Sequence, residues 1–217
     1  MTELFASSGH SVFAGVRSSG NMDKLLKLQE LYPGAINIVN MDVCEDDSVI
    51  KASEIVYEEW GSIDTIVNNA AILQAKNQKI NELDVQEIKQ TFETNFYGPY
   101  RVIKYFLPML LNGSRQCIIN ISSEGGSIST CGTTYCSYSM SKAALNIMSQ
   151  MFNNLLKTNK IPVIAVHPGR MNTDMGSESA QIEPIVAAEG IYNIITGKTE
   201  ITSQVKFVDY LGHPMPL

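Results

Sequence analysis

Residues 116–158 read QCIINISSEGGSISTCGTTYCSYSMSKAALNIMSQMFNNLLKT. The segment opens on apolar, β-branched residues typical of a buried strand, predicted over residues 116–122. Residues 122–137 are rich in Gly, Ser and Thr and indicate a loop. Apolar residues then recur at helical spacing and predict a helix over residues 138–158. In open α/β sheets the loop after a strand is where ligands bind, although the same composition also suits a merely flexible loop.

The rest of the chain repeats this alternation of strand and helix. Further strands are predicted at residues 11–16, 35–40, 63–67, 162–167 and 204–209. Helices are predicted from Asp46 to Trp60, where Gly61 ends the helix, and over residues 81–111. The order predicts an α/β fold, a Rossmann-like doubly wound parallel sheet with helices on both faces in three α/β/α layers. With 217 residues, 44% of them hydrophobic, and no linker or repeat, residues 1–217 are expected to form a single domain.

Charge and composition argue against several classes of partner. The formal net charge is -6 and no basic stripe is present, so we expect no nucleic-acid partner. No apolar run approaches the roughly 20 residues that span a bilayer, and Glu3 stands where a signal peptide carries basic residues. We therefore expect no membrane association and a cytoplasmic location. The cysteines and histidines are too scattered to predict a metal site or a disulfide framework: Cys44, Cys117, Cys131, Cys136, His10, His167 and His213.

Tyr138 and Lys142 are the first candidates for chemistry. Four residues apart on one helix, their side chains project from the same face. An ammonium close to a phenol favours the phenolate, so Lys142 is expected to lower the pKa of Tyr138 toward the working range of a general acid/base. A pair with this spacing also occurs by chance on solvated helix surfaces, so the spacing alone leaves both interpretations open.

Several further motifs accompany this pair in a fixed order along the chain. They are Asn68-Asn69-Ala70-Ala71, Asn95-Phe96-Tyr97-Gly98, Asn120-Ile121-Ser122-Ser123, His167-Pro168-Gly169 and Thr173-Asp174-Met175. Together with Tyr138 and Lys142, they resemble the short-chain dehydrogenase/reductase family, and especially its compact carbonyl-reductase-like members. The resemblance extends from about Val12 to Leu217, including the C-terminal segment.

The resemblance implies four catalytic residues. Tyr138 would exchange a proton with the substrate oxygen, while Lys142 would lower the pKa of Tyr138 and hold the nicotinamide ribose. Ser123, rather than Ser122, would hydrogen-bond the substrate oxygen as negative charge develops. Asn95 would keep the long helix locally irregular and place a water beside the lysine. A buried asparagine that satisfies the helix backbone is the structural alternative for Asn95, and the two are compatible.

The resemblance also implies residues that bind the cofactor. Besides Asn95, Tyr138 and Lys142, they are Arg17, Asp42, Val43, Asn69, Ala70, Ala71, Pro168, Gly169, Met171 and Thr173. Asp42 would contact the adenine, but it could equally cap the following helix. Arg17 ends the first predicted strand, where a basic residue suits the 2′-phosphate of NADP. This favours NADP(H) over NAD(H).

The chain departs from the family at its N-terminus. The family begins with a buried strand and a Gly-x-x-x-Gly-x-Gly turn whose N–H groups bind the pyrophosphate, and this sequence contains no such turn. Residues 1–8 instead predict the end of the helix that follows the turn, with Gly9 at its C-terminus. Roughly two dozen residues are missing by comparison. The strands on either side could then pair with each other, the first third could be loosely held, or the chain could be a truncated product.

These observations predict an NAD(P)(H)-dependent oxidoreductase that interconverts a small carbonyl compound and its alcohol. The alternatives are a non-catalytic family member that senses a nucleotide or takes part in signalling, and a truncated inactive form of the enzyme. Relatives pair through the two long helices, here residues 81–111 and 138–158, but monomeric relatives also exist. A homodimer and a monomer both stay open.

Overall fold

A computed structural model describes residues 1–17, 22–172 and 182–217. In this part of the chain the strands are β1 (Val12–Val16), β2 (Ile36–Asn40), β3 (Thr65–Asn68), β4 (Cys117–Ile121), β5 (Val163–His167) and β6 (Phe207–Asp209). The α-helices are α1 (Thr2–Ser7), α2 (Asp23–Leu31), α3 (Asp46–Trp60), α4 (Val85–Phe92), α5 (Gly98–Leu110), α6 (Cys136–Leu155) and α7 (Pro184–Ile195). None of the described helices combines the length and apolar character needed to cross a bilayer.

All paired strands are parallel, and they form two sheets. One sheet contains β1 and β2, and the other has the order β3-β4-β5-β6. Within the described residues β1 and β3 are not paired, so the alternative in which these two strands pair with each other is wrong. Instead, both strands line one cavity of about 1100 Å³.

Two apolar cores cover opposite faces of the larger sheet. Side chains of a strand alternate between the faces, so Ile118 of β4 belongs to one core and its neighbour Ile119 to the other. The first core is filled from α3, α5 and α6. The second is filled from α7, whose Ile191 and Ile194 are buried. This three-layer arrangement confirms the predicted α/β fold class.

Local turn chemistry explains where several helices end. Gly61 has a φ of 70° and ends α3 as predicted, because its N–H donates to the carbonyl of Tyr57 from the left-handed conformation that glycine adopts readily. Gly9 follows α1 with a φ of 85°. The helix predicted over residues 81–111 is wrong in its first part: residues 80–82 form a 3-10 turn, and α4 begins only after Asp84, whose carboxylate accepts the Gln86 N–H.

The same predicted helix is also interrupted in its middle. A π-helical turn over Glu93–Tyr97 separates α4 from α5. A turn of this kind adds a residue to the helical repeat and rotates the side chains that follow it. The interruption falls at Asn95, the residue expected to keep this helix irregular, and that expectation is confirmed.

Candidate active site

Buried asparagines join the carboxyl ends of β3 and β4. Asn68 and Asn120 are opposite each other in the parallel register, and Asn68 Nδ2 donates to Asn120 Oδ1 at 2.7 Å. Asn120 Nδ2 in turn donates to Ser149 Oγ of α6 at 2.8 Å. Each buried amide thereby gains a partner, and helix α6 is fixed against the strand ends. The role of Ser149 was not predicted, and the signal that could have pointed to it is the polar Asn120 within the apolar run of β4.

A 3-10 turn over Glu124–Gly126 follows β4 and carries Ser123 at its start. The Ser123 hydroxyl accepts the Gly125 N–H at 3.2 Å. Gly126 presses this turn onto α6, since a Cβ there would lie 2.9 Å from the Lys142 carbonyl carbon. Ser122 is buried and donates to Asn146 Oδ1 at 2.5 Å, so its hydroxyl is held between β4 and α6.

Ser123, Tyr138 and Lys142 come together between this turn and α6. The Ser123 hydroxyl is close enough to the Tyr138 phenol to lower the pKa of that phenol. Lys142 Nζ lies 5.5 Å from the centre of the Tyr138 ring and donates to the Ile121 carbonyl at 2.7 Å. Lys142 is only 2% exposed, which rules out the solvated surface pair that spacing alone left open.

Burial dominates the protonation of both groups. Burial raises the pKa of Tyr138 above its ordinary value, and the nearby Ser123 hydroxyl offsets this in part. The expectation of a lowered pKa is therefore wrong for this structure, because the loss of hydration on burial is the largest influence on the phenol. Burial likewise lowers the pKa of Lys142 to about 8. Tyr138 is thus a neutral phenol with a proton to donate, next to a lysine that can gain or lose its proton.

Asn95 ties the π-helical turn to two other segments. Its Nδ2 donates to the Ile72 carbonyl at 3.0 Å and to Ser141 Oγ at 3.1 Å, and its Oδ1 accepts the Ile72 N–H at 2.8 Å. The side chain is completely buried, and both its oxygen and its nitrogen have partners. These partners belong to the segment after β3 and to α6, so the structural alternative, in which Asn95 satisfies the helix backbone, is wrong. The water beside the lysine stays a prediction.

The large cavity between β1 and β3 gathers most of the residues expected to bind the cofactor, but Asn95, Tyr138 and Lys142 are not among the residues that line it. It is lined by Arg17, Asp42, Val43, Asn69, Ala70, Ala71, Pro168 and Met171. Gly169 instead lines a neighbouring cavity of about 460 Å³. Thr173 lies outside the described residues.

Asp42 has a role in a turn and is not a helix cap. Its Oδ1 accepts the Cys44 N–H at 3.0 Å, and Glu45 is the residue that precedes α3. The helix-cap alternative for Asp42 is therefore wrong, and its position at the cavity wall leaves it available to a ligand.

The cavity fits a dinucleotide in part. Arg17 supplies a cation at one end, and Ala70 and Ala71 supply small side chains along the wall. Pro168 and Met171, from the segment that follows β5, also line this cavity.

Comparisons with known proteins agree with this geometry. A sequence profile described as short chain dehydrogenase matches residues 1–183. The chain is 29% identical over 204 residues to the 3-oxoacyl-[acyl-carrier-protein] reductase FabG of Thermotoga maritima, across 94% of this chain and 81% of that protein. It is 31% identical over 158 residues to the C-signal protein of Myxococcus xanthus, across 72% of this chain and 93% of that protein. An NADPH-bound carbonyl reductase from chicken fatty liver superposes with a TM-score of 0.84 at 27% identity, across 96% of this chain and 88% of that structure.

Proposed function

Because the chain belongs to the short-chain dehydrogenase family of NAD(P)-dependent oxidoreductases, we propose that it interconverts a small carbonyl compound and its alcohol, with Tyr138 as the general acid/base. The observation that carries this proposal is the buried Lys142 ammonium 5.5 Å from the Tyr138 ring, with the Ser123 hydroxyl near the phenol. Three groups able to bind or protonate one oxygen atom thereby meet at the carboxyl end of β4.

Each of these side chains has a distinct task in the proposed reaction. A bound nicotinamide supplies the hydride for reduction or accepts it for oxidation. Ser123 donates a hydrogen bond to the substrate oxygen, where negative charge grows. Tyr138 gives that oxygen its proton, and the positive charge of Lys142 favours the phenolate left behind. Asn95 fixes the π-helical turn beneath this site and holds the predicted water beside Lys142.

We further propose that NADP(H) is preferred over NAD(H). Arg17 lines the large cavity at the end of β1, where a guanidinium would pair with a ribose 2′-phosphate. The chicken carbonyl reductase similar to this chain is described as NADPH-bound.

The direct test is titration of the purified chain with NADPH and NADH, followed by turnover with a panel of small aldehydes and ketones. We expect saturable NADPH binding in the micromolar range. Tyr138→Phe should retain this binding and lose turnover by about 100-fold or more, because it removes only the proton donor. The matched control is Tyr135→Phe, three residues earlier and exposed, which should keep wild-type turnover.

A non-catalytic signalling or nucleotide-sensing role is the second candidate. The similarity to the C-signal protein, which spans 93% of that protein, favours it. The titration separates the two candidates. A folded chain that binds NADPH without reducing any carbonyl supports a sensor. A folded chain that binds neither nucleotide at millimolar concentration contradicts the enzyme proposal and supports an inactive form.

We also propose that two copies pair through α5 and α6. Ile147, Met151 and Leu155 recur every four residues on α6 and are each more than 60% exposed. Tyr100 of α5 extends this apolar face, since its ring lies 6.2 Å from that of Phe152. Pairing would remove this apolar face from water. The cytoplasmic location stays a prediction.

A further inference from the structure

The smaller cavity, of about 460 Å³, lies beside the turn that carries Ser123. Its wall includes Glu124, His167, Arg170 and Asp209. Glu124 directly follows Ser123, while His167 is the last residue of β5 and is opposite Asp209 of β6. A titratable imidazole is therefore placed against the backbone of the catalytic turn.

Glu124 is held at two points by the end of β5 and the loop after it. Its backbone N–H donates to His167 Nδ1 at 3.1 Å. Its carboxylate pairs with Arg170, whose Nε lies 2.6 Å from Oε1. The ion pair is largely exposed and contributes little by itself, so the bond from His167 to the backbone is the firmer of the two contacts.

The bond to Glu124 requires a neutral imidazole. Nδ1 accepts a hydrogen from the amide, so the ring proton must be on Nε2. Protonation would place a second hydrogen between Nδ1 and the Glu124 nitrogen, and two donors would face each other.

Burial affects the pKa of His167 more than the charged groups that face it. Burial lowers the pKa of His167, the carboxylates of Glu124 and Asp209 raise it, and Arg170 lowers it slightly. Asp209 is itself paired with His213, at 3.1 Å from Oδ2 to Nδ1. The imidazole is therefore neutral at physiological pH, as the hydrogen bond requires.

We propose that His167 is a positioning residue: its neutral imidazole holds the Ser123 turn in place through the Glu124 amide, and its protonation releases the turn. The proposal rests on the function of Ser123 proposed above. It predicts that kcat falls in acid, because the contact acts on the turn that carries the substrate-binding hydroxyl.

The test compares kcat against pH, from about pH 8 to about pH 5, for matched variants. The amide oxygen of His167→Asn can accept the Glu124 N–H but does not titrate, so this variant should keep kcat within about threefold and lose the acid decline. His167→Leu removes the acceptor and should lower kcat by about tenfold at every pH. His213→Asn removes an exposed neighbouring imidazole and should keep the acid decline. An unchanged acid decline in His167→Asn would overturn the proposal.

A measurement that does not depend on turnover can distinguish a failure of this proposal from a failure of the proposed enzymatic function. The amide resonance of Glu124 in a nitrogen-15 spectrum should titrate with the same midpoint as the His167 ring, and this dependence should vanish in His167→Asn. If the wild type reduces no carbonyl but the two midpoints agree, the hydrogen bond stands and the enzyme proposal fails. If the Glu124 amide does not respond to His167, the positioning role fails whatever the activity.

Discussion

Lys142 is the residue where stability and function are most directly opposed. Its ammonium is buried and donates to the Ile121 carbonyl at 2.7 Å. Burial alone lowers its pKa from 10.5 to about 8, so the folded state disfavours the charged form. Burying this ammonium destabilises the folded state, and a residue that served only the fold would not require it. The burial of Lys142 is instead typical of a group placed for chemistry.

We predict that Lys142→Met raises the free energy of unfolding at neutral pH by about 1 to 3 kcal/mol while abolishing turnover. Between about pH 8 and pH 10.5 the unfolded chain binds more protons at this position, so wild-type stability should rise with pH across that window. The variant should lack that rise. Denaturant unfolding of both proteins at several pH values measures the free energy of unfolding and its dependence on pH, and the exposed Lys51→Met serves as the control. A destabilised Lys142→Met would show that the bond to Ile121 outweighs the burial cost.

At the scale of a single element, α6 carries the catalytic pair on one face and the apolar residues Ile147, Met151 and Leu155 on another. We predict that the wild type sediments as a dimer at micromolar concentration. Met151→Glu should yield a folded monomer, because a carboxylate would be buried at the centre of the interface. Leu31→Glu changes an equally exposed leucine on α2 and should leave the dimer intact. A wild type that is monomeric at about 100 µM would contradict the dimer.

The elements also show what the sequence can and cannot predict. The strand β4 and helix α6 follow from apolar periodicity, because both bury a continuous face. The break in residues 81–111 does not, since it depends on bonds from Asn95 to Ile72 and Ser141 that exist only after folding. The direction of the Tyr138 pKa was mispredicted for the same reason: a pair spacing carries no information on how deeply the phenol is buried.

At the scale of the whole molecule, the split between the two sheets leaves one edge of β1 facing the large cavity. Peptide groups of a parallel strand point alternately to its two neighbours. Val12 donates to Ala35, and Val16 accepts from Met41, so these residues and Ala14 point to β2. Phe13 and Gly15 therefore direct their peptide groups toward the cavity.

We predict that the amides of Phe13 and Gly15 exchange with solvent at least about 100-fold faster than the amide of Ala14 on the same strand, because they need no opening of the sheet to reach water. Ile119, in the centre of the larger sheet, is the protected reference. Hydrogen exchange followed by nuclear magnetic resonance measures these amides individually. If Phe13 and Gly15 are as protected as Ala14, the cavity edge of β1 is paired in solution, and the binding site for the cofactor must then be narrower than the cavity described here.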